Sequence, residues 1–433
     1  MFLFLLQFLF LKQKDNVNLL NKLDMTPLFY IIIGLLLLDF VVATLLNFLN
    51  AKHYKDKLPL QLQDVYEANE YKKSQDYKRE NNQFLNITSL FSLLLTLGFF
   101  FFKGFAYIDT IARQISDNEI LISLIFFGII MLGSDIITTP FSYYKTFIIE
   151  EKFGFNTSTK KIFWMDKLKG WFLSIGLGGI ILASIIWFYQ KTGTNFWLYT
   201  WAFIAVFSVF MTLFYSSLIV PLFNKQTPLE DGELKNSIQK FASKVGFKLD
   251  NIFVIDGSKR STKANAYFSG FGIKKRIVLY DTLIKDLDVD EIVAVLAHEI
   301  GHYKKKHVFI NMVLSILLTG LTLYILSLFI DNALLSESLS VSKPSFHIGL
   351  IAFGVLYTPI SAITGLFMNI LSRKFEYEAD DYAKKHFGSK PLIQALKKLS
   401  KNSLSNLTPH KSYVFYHYSH PTLLQRILNL DKE

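Results

Sequence analysis

VAVLAHEIGHYKKKH, residues Val293 to His307, sets two histidines and a glutamate between an apolar run and a run of lysines. His298 and His302 are four residues apart, so on a helix they share one face. Neutral imidazoles are good zinc ligands. Glu299 follows His298 directly and can reach beside a metal without binding it, where it can take a proton from water. The acids of DVDE just upstream (Asp288, Asp290, Glu291) predict a helix starting near Asp288–Asp290, because negative charge favours a helix N-terminus. His307 lies five residues beyond His302 and is not expected to be a ligand.

A catalytic zinc commonly has three protein ligands and one open position. The chain contains no cysteine. Disulfides, thiolate zinc sites and cysteine-protease chemistry are therefore excluded, and every ligand must be His, Asp or Glu. SRKFEYEADDYAKKHFG (Ser372–Gly388) supplies Glu376, Glu378, Asp380 and Asp381. Glu376 and Asp380 share a helix face, and Glu378 lies roughly opposite. A second helix presenting Glu376 to the metal and Asp380 to the back of a ligand histidine would complete such a site. On the residues alone, a polar helix face and a solvated acidic helix start remain open alternatives.

Around these two stretches the chain reads as membrane protein. Of its 433 residues, 51% are hydrophobic and 42 are phenylalanine, which is too apolar for an ordinary soluble surface. Seven segments are long and apolar enough to span a bilayer: 27–49, 85–107, 120–141, 168–189, 196–222, 308–329 and 346–370. The predicted fold class is mainly α and polytopic, with a zinc-peptidase domain carrying a small β-sheet. The predicted divisions are an extension over 1–26, five spans in 27–222, a catalytic segment over 223–307, two spans in 308–370 and a second catalytic segment over 371–433. The opening MFLFLLQFLFLKQK lacks the flanks of a cleaved signal peptide and is too short to span alone.

The formal net charge is +11, which suits either nucleic acid or an anionic leaflet. The lysines fall in alternate loops, and this favours the membrane. No nucleic-acid partner is expected. The positive-inside rule places the C-terminus and the stretch 223–306 in the cytoplasm and the N-terminus outside, against the weaker pull of Lys12, Lys14 and Lys22. Within 223–306, a helix is predicted over Glu233–Phe247 and strands at NIFVID (251–256), NAYFSGFG (265–272) and KRIVLYD (275–281). Gly270 and Gly272 suggest a hairpin between the last two strands.

HEIGH, followed after two spans by SRKFEYEAD, resembles the integral-membrane zinc peptidases of the CAAX prenyl protease type 1 family. PFSYYKTFIIEEKFGFN (140–156), VPLFNKQTPLEDGEL (220–234), NAYFSGFGIKKRIVLYDTLI (265–284) and HPTLLQRI (420–427) resemble it too. The resemblance implies a chamber walled by seven spans, a gluzincin-type site at its cytoplasmic end and one Zn2+ per chain. It implies zinc ligands at His298, His302 and Glu376 and a catalytic base at Glu299. It implies a supporting acid at Asp380, substrate binding at Asn265 beside Tyr267, and contact with the reacting carbonyl at His420. Arg373 and Arg426 match structural or site-lining arginines. The usual HPP reads HPT at His420–Thr422.

Three functions follow as expectations. The first is an endopeptidase acting near the C-terminus of prenylated CAAX-type proteins. The second is a quality-control peptidase of the same build. The third, from another class, is a transporter whose intramembrane acids Asp39 and Asp135 line a pathway. The expected partners are a peptide or protein substrate and the lipid bilayer. The bias towards lysine, asparagine and phenylalanine suits an A·T-rich bacterial genome. The location is then the inner membrane, or the endoplasmic reticulum membrane in a eukaryote.

Overall fold

The computed structural model describes residues 25–55, 57–247, 249, 251–269 and 276–432. The extension over 1–24 and the hairpin connection at Gly270 and Gly272 lie outside these residues.

The apolar segments form long helices: α1 (Pro27–Lys52), α2 (Ala68–Phe101), α3 (Gly104–Ile115), α4 (Glu119–Tyr144), α5 (Lys160–Leu173), α6 (Gly179–Thr192) and α7 (Phe196–Leu218). Among the described residues, five helical runs are long and apolar enough to cross a membrane, and one bent pair makes a sixth. One run, Lys160–Phe223, is 64 residues long, about three times what a bilayer needs. It reverses at Gly193 (φ 54°, ψ −133°), where a residue with a Cβ would be strained. α6 and α7 lie side by side across this reversal. The run therefore holds two spans, and the total is seven.

Hydropathy misplaces some span ends. The predicted span 85–107 breaks at Lys103, which has a left-handed backbone (φ 56°), so Tyr107 belongs to α3. The lysine-rich stretch before it, read as a loop, is helical from Ala68, where Glu67 and Glu70 form a reciprocal cap. The last span divides into Phe346–Leu356 and Thr358–His386 at a 58° bend, where Pro359 removes a helical N–H. In these five runs only 6–22% of the apolar window is buried. Helices that leave so much apolar surface exposed suit a bilayer around them.

The other main elements build the peptidase half and the last two spans. They are β1 (Gln226–Pro228), α8 (Glu233–Lys244), β2 (Asn251–Ile255), β3 (Ala266–Ser269), β4 (Arg276–Tyr280), α9 (Val289–Lys304), α10 (His307–Phe329), α11 (Phe346–Leu356), α12 (Thr358–His386), α13 (Ser389–Asn402), α14 (Lys411–His417) and α15 (Leu423–Leu430). The sheet order is β1-β2-β4-β3. β2 and β4 are parallel, and the two edge strands are antiparallel to their neighbours. The sequence reading missed β1, whose three residues include a proline, a composition tolerated only at an edge. Ile277 and Leu279 of β4, Ile238 and Phe241 of α8, Ile292 to Ile300 of α9 and Leu392 of α13 pack into one core. This core fixes α9 from below.

Candidate metal centre

α9 starts where its acids place it. Asp288 and Glu291 cap each other's backbone N–H groups. At its far end Gly301 meets α12: a Cβ on Gly301 would lie 3.0 Å from Tyr382 Cβ and 3.1 Å from the Ala379 backbone. The missing side chain lets the two helices approach, and this sets Glu376 and Asp380 opposite His298 and His302.

The donor atoms converge. His298 Nε2 and His302 Nε2 are 3.1 Å apart. Glu376 Oε2 is 3.5 Å from His298 Nε2, and Glu376 Oε1 is 3.3 Å from His302 Nε2. A tetrahedral zinc with bonds of 2.0–2.1 Å has donor-to-donor edges of about 3.3–3.4 Å, and the separations here, one to each Glu376 oxygen, are of that size. Glu376 Oε2 is also buried with no hydrogen-bond partner. Arg426 Nη1 lies 3.5 Å from it, but a buried carboxylate oxygen without a hydrogen bond is still costly, and a cation between the three side chains removes that cost. The residues present therefore fit a divalent metal.

Behind His298 the arrangement is closed. Its Nδ1 is 2.8 Å from Asp380 Oδ1 and donates to it, leaving Nε2 for the metal. Asp380 is fully buried and clamped by Arg426 through Nε (2.9 Å) and Nη2 (2.5 Å). Burial disfavours a charged His298, but hydrogen bonding to Asp380 and Glu376 outweighs it and pushes the pKa up to about 9. A metal arriving at Nε2 displaces a proton.

Glu299 is half-buried and has no hydrogen bond or ion pair among the described residues. His420 reaches over the cluster, with Nε2 3.3 Å from Glu376 Oε1 and its side chain 63% exposed. Arg373 does not touch the donors. It donates to the carbonyl of Tyr418 at 2.5 Å and holds the turn that delivers His420. Asn265 precedes edge strand β3, is exposed, and accepts the N–H of Ala266. Tyr267 lines a cavity of about 650 Å³ with Tyr215, Tyr280 and Val308. Its hydroxyl lies 3.3 Å from Ser216 Oγ.

Two residues that the sequence reading set aside also belong here. His307 Nδ1 is 3.0 Å from His302 Nδ1, and His307 Nε2 is 3.1 Å from Glu378 Oε2.

Comparison with known proteins identifies the family. Residues 47–225 match the family described as "CAAX prenyl protease N-terminal, five membrane helices", and residues 228–433 match "Peptidase family M48". The chain is 39% identical over 422 residues to a CAAX prenyl protease 1 homolog of Dictyostelium discoideum, covering 94% of this chain and 98% of that one. It is 37% identical to CAAX prenyl protease 1 of Saccharomyces cerevisiae, covering 87% and 88%. The chain belongs to the CAAX prenyl protease 1 family of M48 peptidases. The crystal structure of Ste24p from S. mikatae superposes with a TM-score of 0.88 at 37% identity, over 94% of this chain and 99% of that chain. As a member of this family the chain is an integral-membrane metalloendopeptidase, which removes the transporter alternative. Asp135 serves instead in packing: it pairs with Lys167 at 2.6 Å and accepts from Trp171 Nε1 at 2.9 Å.

Proposed function

We propose that this chain is a zinc endopeptidase that cuts near the C-terminus of prenylated CAAX-type proteins at a membrane. The observation that carries the reading is the largely buried His298–His302–Glu376 cluster, with an unengaged Glu299 beside it, in a chain whose relatives bear the name CAAX prenyl protease 1.

Zinc, when bound, supplies a Lewis acid that lowers the pKa of a water and polarises a carbonyl. His298, His302 and Glu376 hold it. Glu299 takes the proton from the attacking water, since its carboxylate is committed to no other partner. It then returns that proton to the leaving amine. His420 donates to the oxyanion as it forms. Asn265 and the free edge of β3 hold the peptide extended, as an added strand. Tyr267 and the neighbouring cavity accommodate its apolar side chains. Asp380 and Arg426 keep His298 in its binding tautomer, and Arg373 keeps His420 in reach.

Lysine-rich loops on the side of α9 support a cytoplasmic catalytic face. The relatives reported above are eukaryotic, which supports the endoplasmic reticulum over a bacterial inner membrane.

Detergent-purified protein and its Glu299→Gln form, assayed on two quenched peptides, test the reading. One peptide is farnesylated with a CAAX end, and the other is unmodified. About one zinc per chain, with cutting confined to the farnesylated peptide and lost in Glu299→Gln, is expected. Equal cutting of both peptides would instead favour the quality-control function.

A further inference from the structure

The half of the centre that carries His302 has a support of its own, which rests on the metal-peptidase reading above. On an unbroken helix His307 would stand about 140° around from His302. α9 instead ends at Lys304, and Lys306 adopts a left-handed backbone (φ 63°) that a lysine rarely takes. The chain turns there and enters α10 with His307 as its first residue. This turn swings the His307 ring back over His302, with ring centroids 5.1 Å apart at an interplanar angle of 74°.

His307 is then fixed by α12, the helix that also carries Glu376. It is 2% exposed, stacks on Phe375 with centroids 4.1 Å apart and planes 11° from parallel, and meets Glu378 through Nε2. Phe375 and Glu378 flank Glu376 in sequence. One short stretch of α12 therefore presents a donor to the metal and seats the ring behind another donor.

The hydrogens in this chain of contacts can be assigned by counting. Glu378 as a carboxylate only accepts, so His307 Nε2 carries a hydrogen. A neutral imidazole has one N–H, so His307 Nδ1 is an acceptor. His302 Nδ1 must then be the donor, which leaves a bare lone pair on His302 Nε2. That nitrogen is the one 3.3 Å from Glu376 Oε1.

We propose that His307 and Glu378 are positioning residues that hold His302 in the tautomer and orientation needed to bind the metal, as Asp380 and Arg426 do for His298. The two ligand histidines thus have different supports. One meets a carboxylate directly, and the other meets a carboxylate through a second imidazole.

The test uses the full-length protein in detergent. His307→Phe keeps the ring stack on Phe375 and removes the acceptor. His307→Asn restores a side-chain oxygen near the Nδ1 position. Zinc affinity is read by competition with a chelating dye, the coordination sphere by the visible spectrum of cobalt-substituted protein, and folding by thermal unfolding after chelator treatment. His307→Phe is expected to weaken zinc binding by about 10–100-fold, with an altered cobalt spectrum and an unchanged unfolding midpoint in chelator. His307→Asn is expected to recover most of the affinity, and Glu378→Gln to lie between Phe and wild type. Zinc affinity within twofold of wild type in His307→Phe, with the same cobalt spectrum, overturns the proposal. So does an equal loss in His307→Asn and His307→Phe, since restoring the acceptor then makes no difference. A wild-type protein that binds no zinc at all would sink the metal-peptidase reading together with this one.

Discussion

Glu376 is the residue on which the centre depends, because it touches both ligand histidines and leaves one oxygen buried without a hydrogen bond. Glu376→Ala is expected to purify with well under one zinc per chain, measured by elemental analysis. Glu299→Gln should keep its zinc and lose about 10²–10⁴-fold in turnover, the scale of general-base catalysis. Retained turnover in that variant would overturn the mechanism. Removing the clamp on Asp380 has a different effect. Arg426→Ala leaves a fully buried carboxylate short of its cation, and breaking such a pair costs about 3–5 kcal/mol. Thermal unfolding in detergent should register that loss. At this scale the sequence is informative where spacing on one helix decides the outcome, as for the His298–His302 and Glu376–Asp380 pairs. It is uninformative for His307, because five residues on a continuous helix point away and nothing local announces the left-handed backbone at Lys306.

Helix contacts decide the next scale. α9 and α12 meet at Gly301, where the space for a side chain is already taken by Ala379 and Tyr382. Gly301→Val must push the helices apart or bend one. It should cost about 1–3 kcal/mol in stability, the usual price of overpacking, and weaken zinc binding as the donor triangle opens. Matched zinc titrations and melting curves check both. An unchanged zinc affinity would show that the helices are free to slide. Element identity was readable from the chain: apolar length gave the spans, and the capping acids placed the start of α9 within a residue. Boundaries were less so, because hydropathy counts apolar side chains and is blind to backbone breaks. It ran past Lys103 and through the bend before Pro359. β1 escaped because three residues with a proline carry no alternation to detect.

The whole molecule joins a set of apolar spans to a peptidase half. Because the chain contains no cysteine, single cysteines can be introduced without background. Lys240→Cys on α8 and Lys191→Cys in the last turn of α6 should react from opposite sides of sealed vesicles, the former from the cytoplasmic side. Labelling of both from the same side, or in reverse, would overturn the orientation. The order of the donors along the chain carries a further consequence. His298 and Glu376 are 78 residues apart, and α10, α11 and the membrane part of α12 lie between them. A ribosome that has just released HEIGH has produced only two of the three donors. The third emerges after two more crossings are threaded. Proteolytic competence therefore arrives last in biosynthesis, and a nascent chain stalled before residue 345 should be harmless to the membrane proteins being inserted beside it.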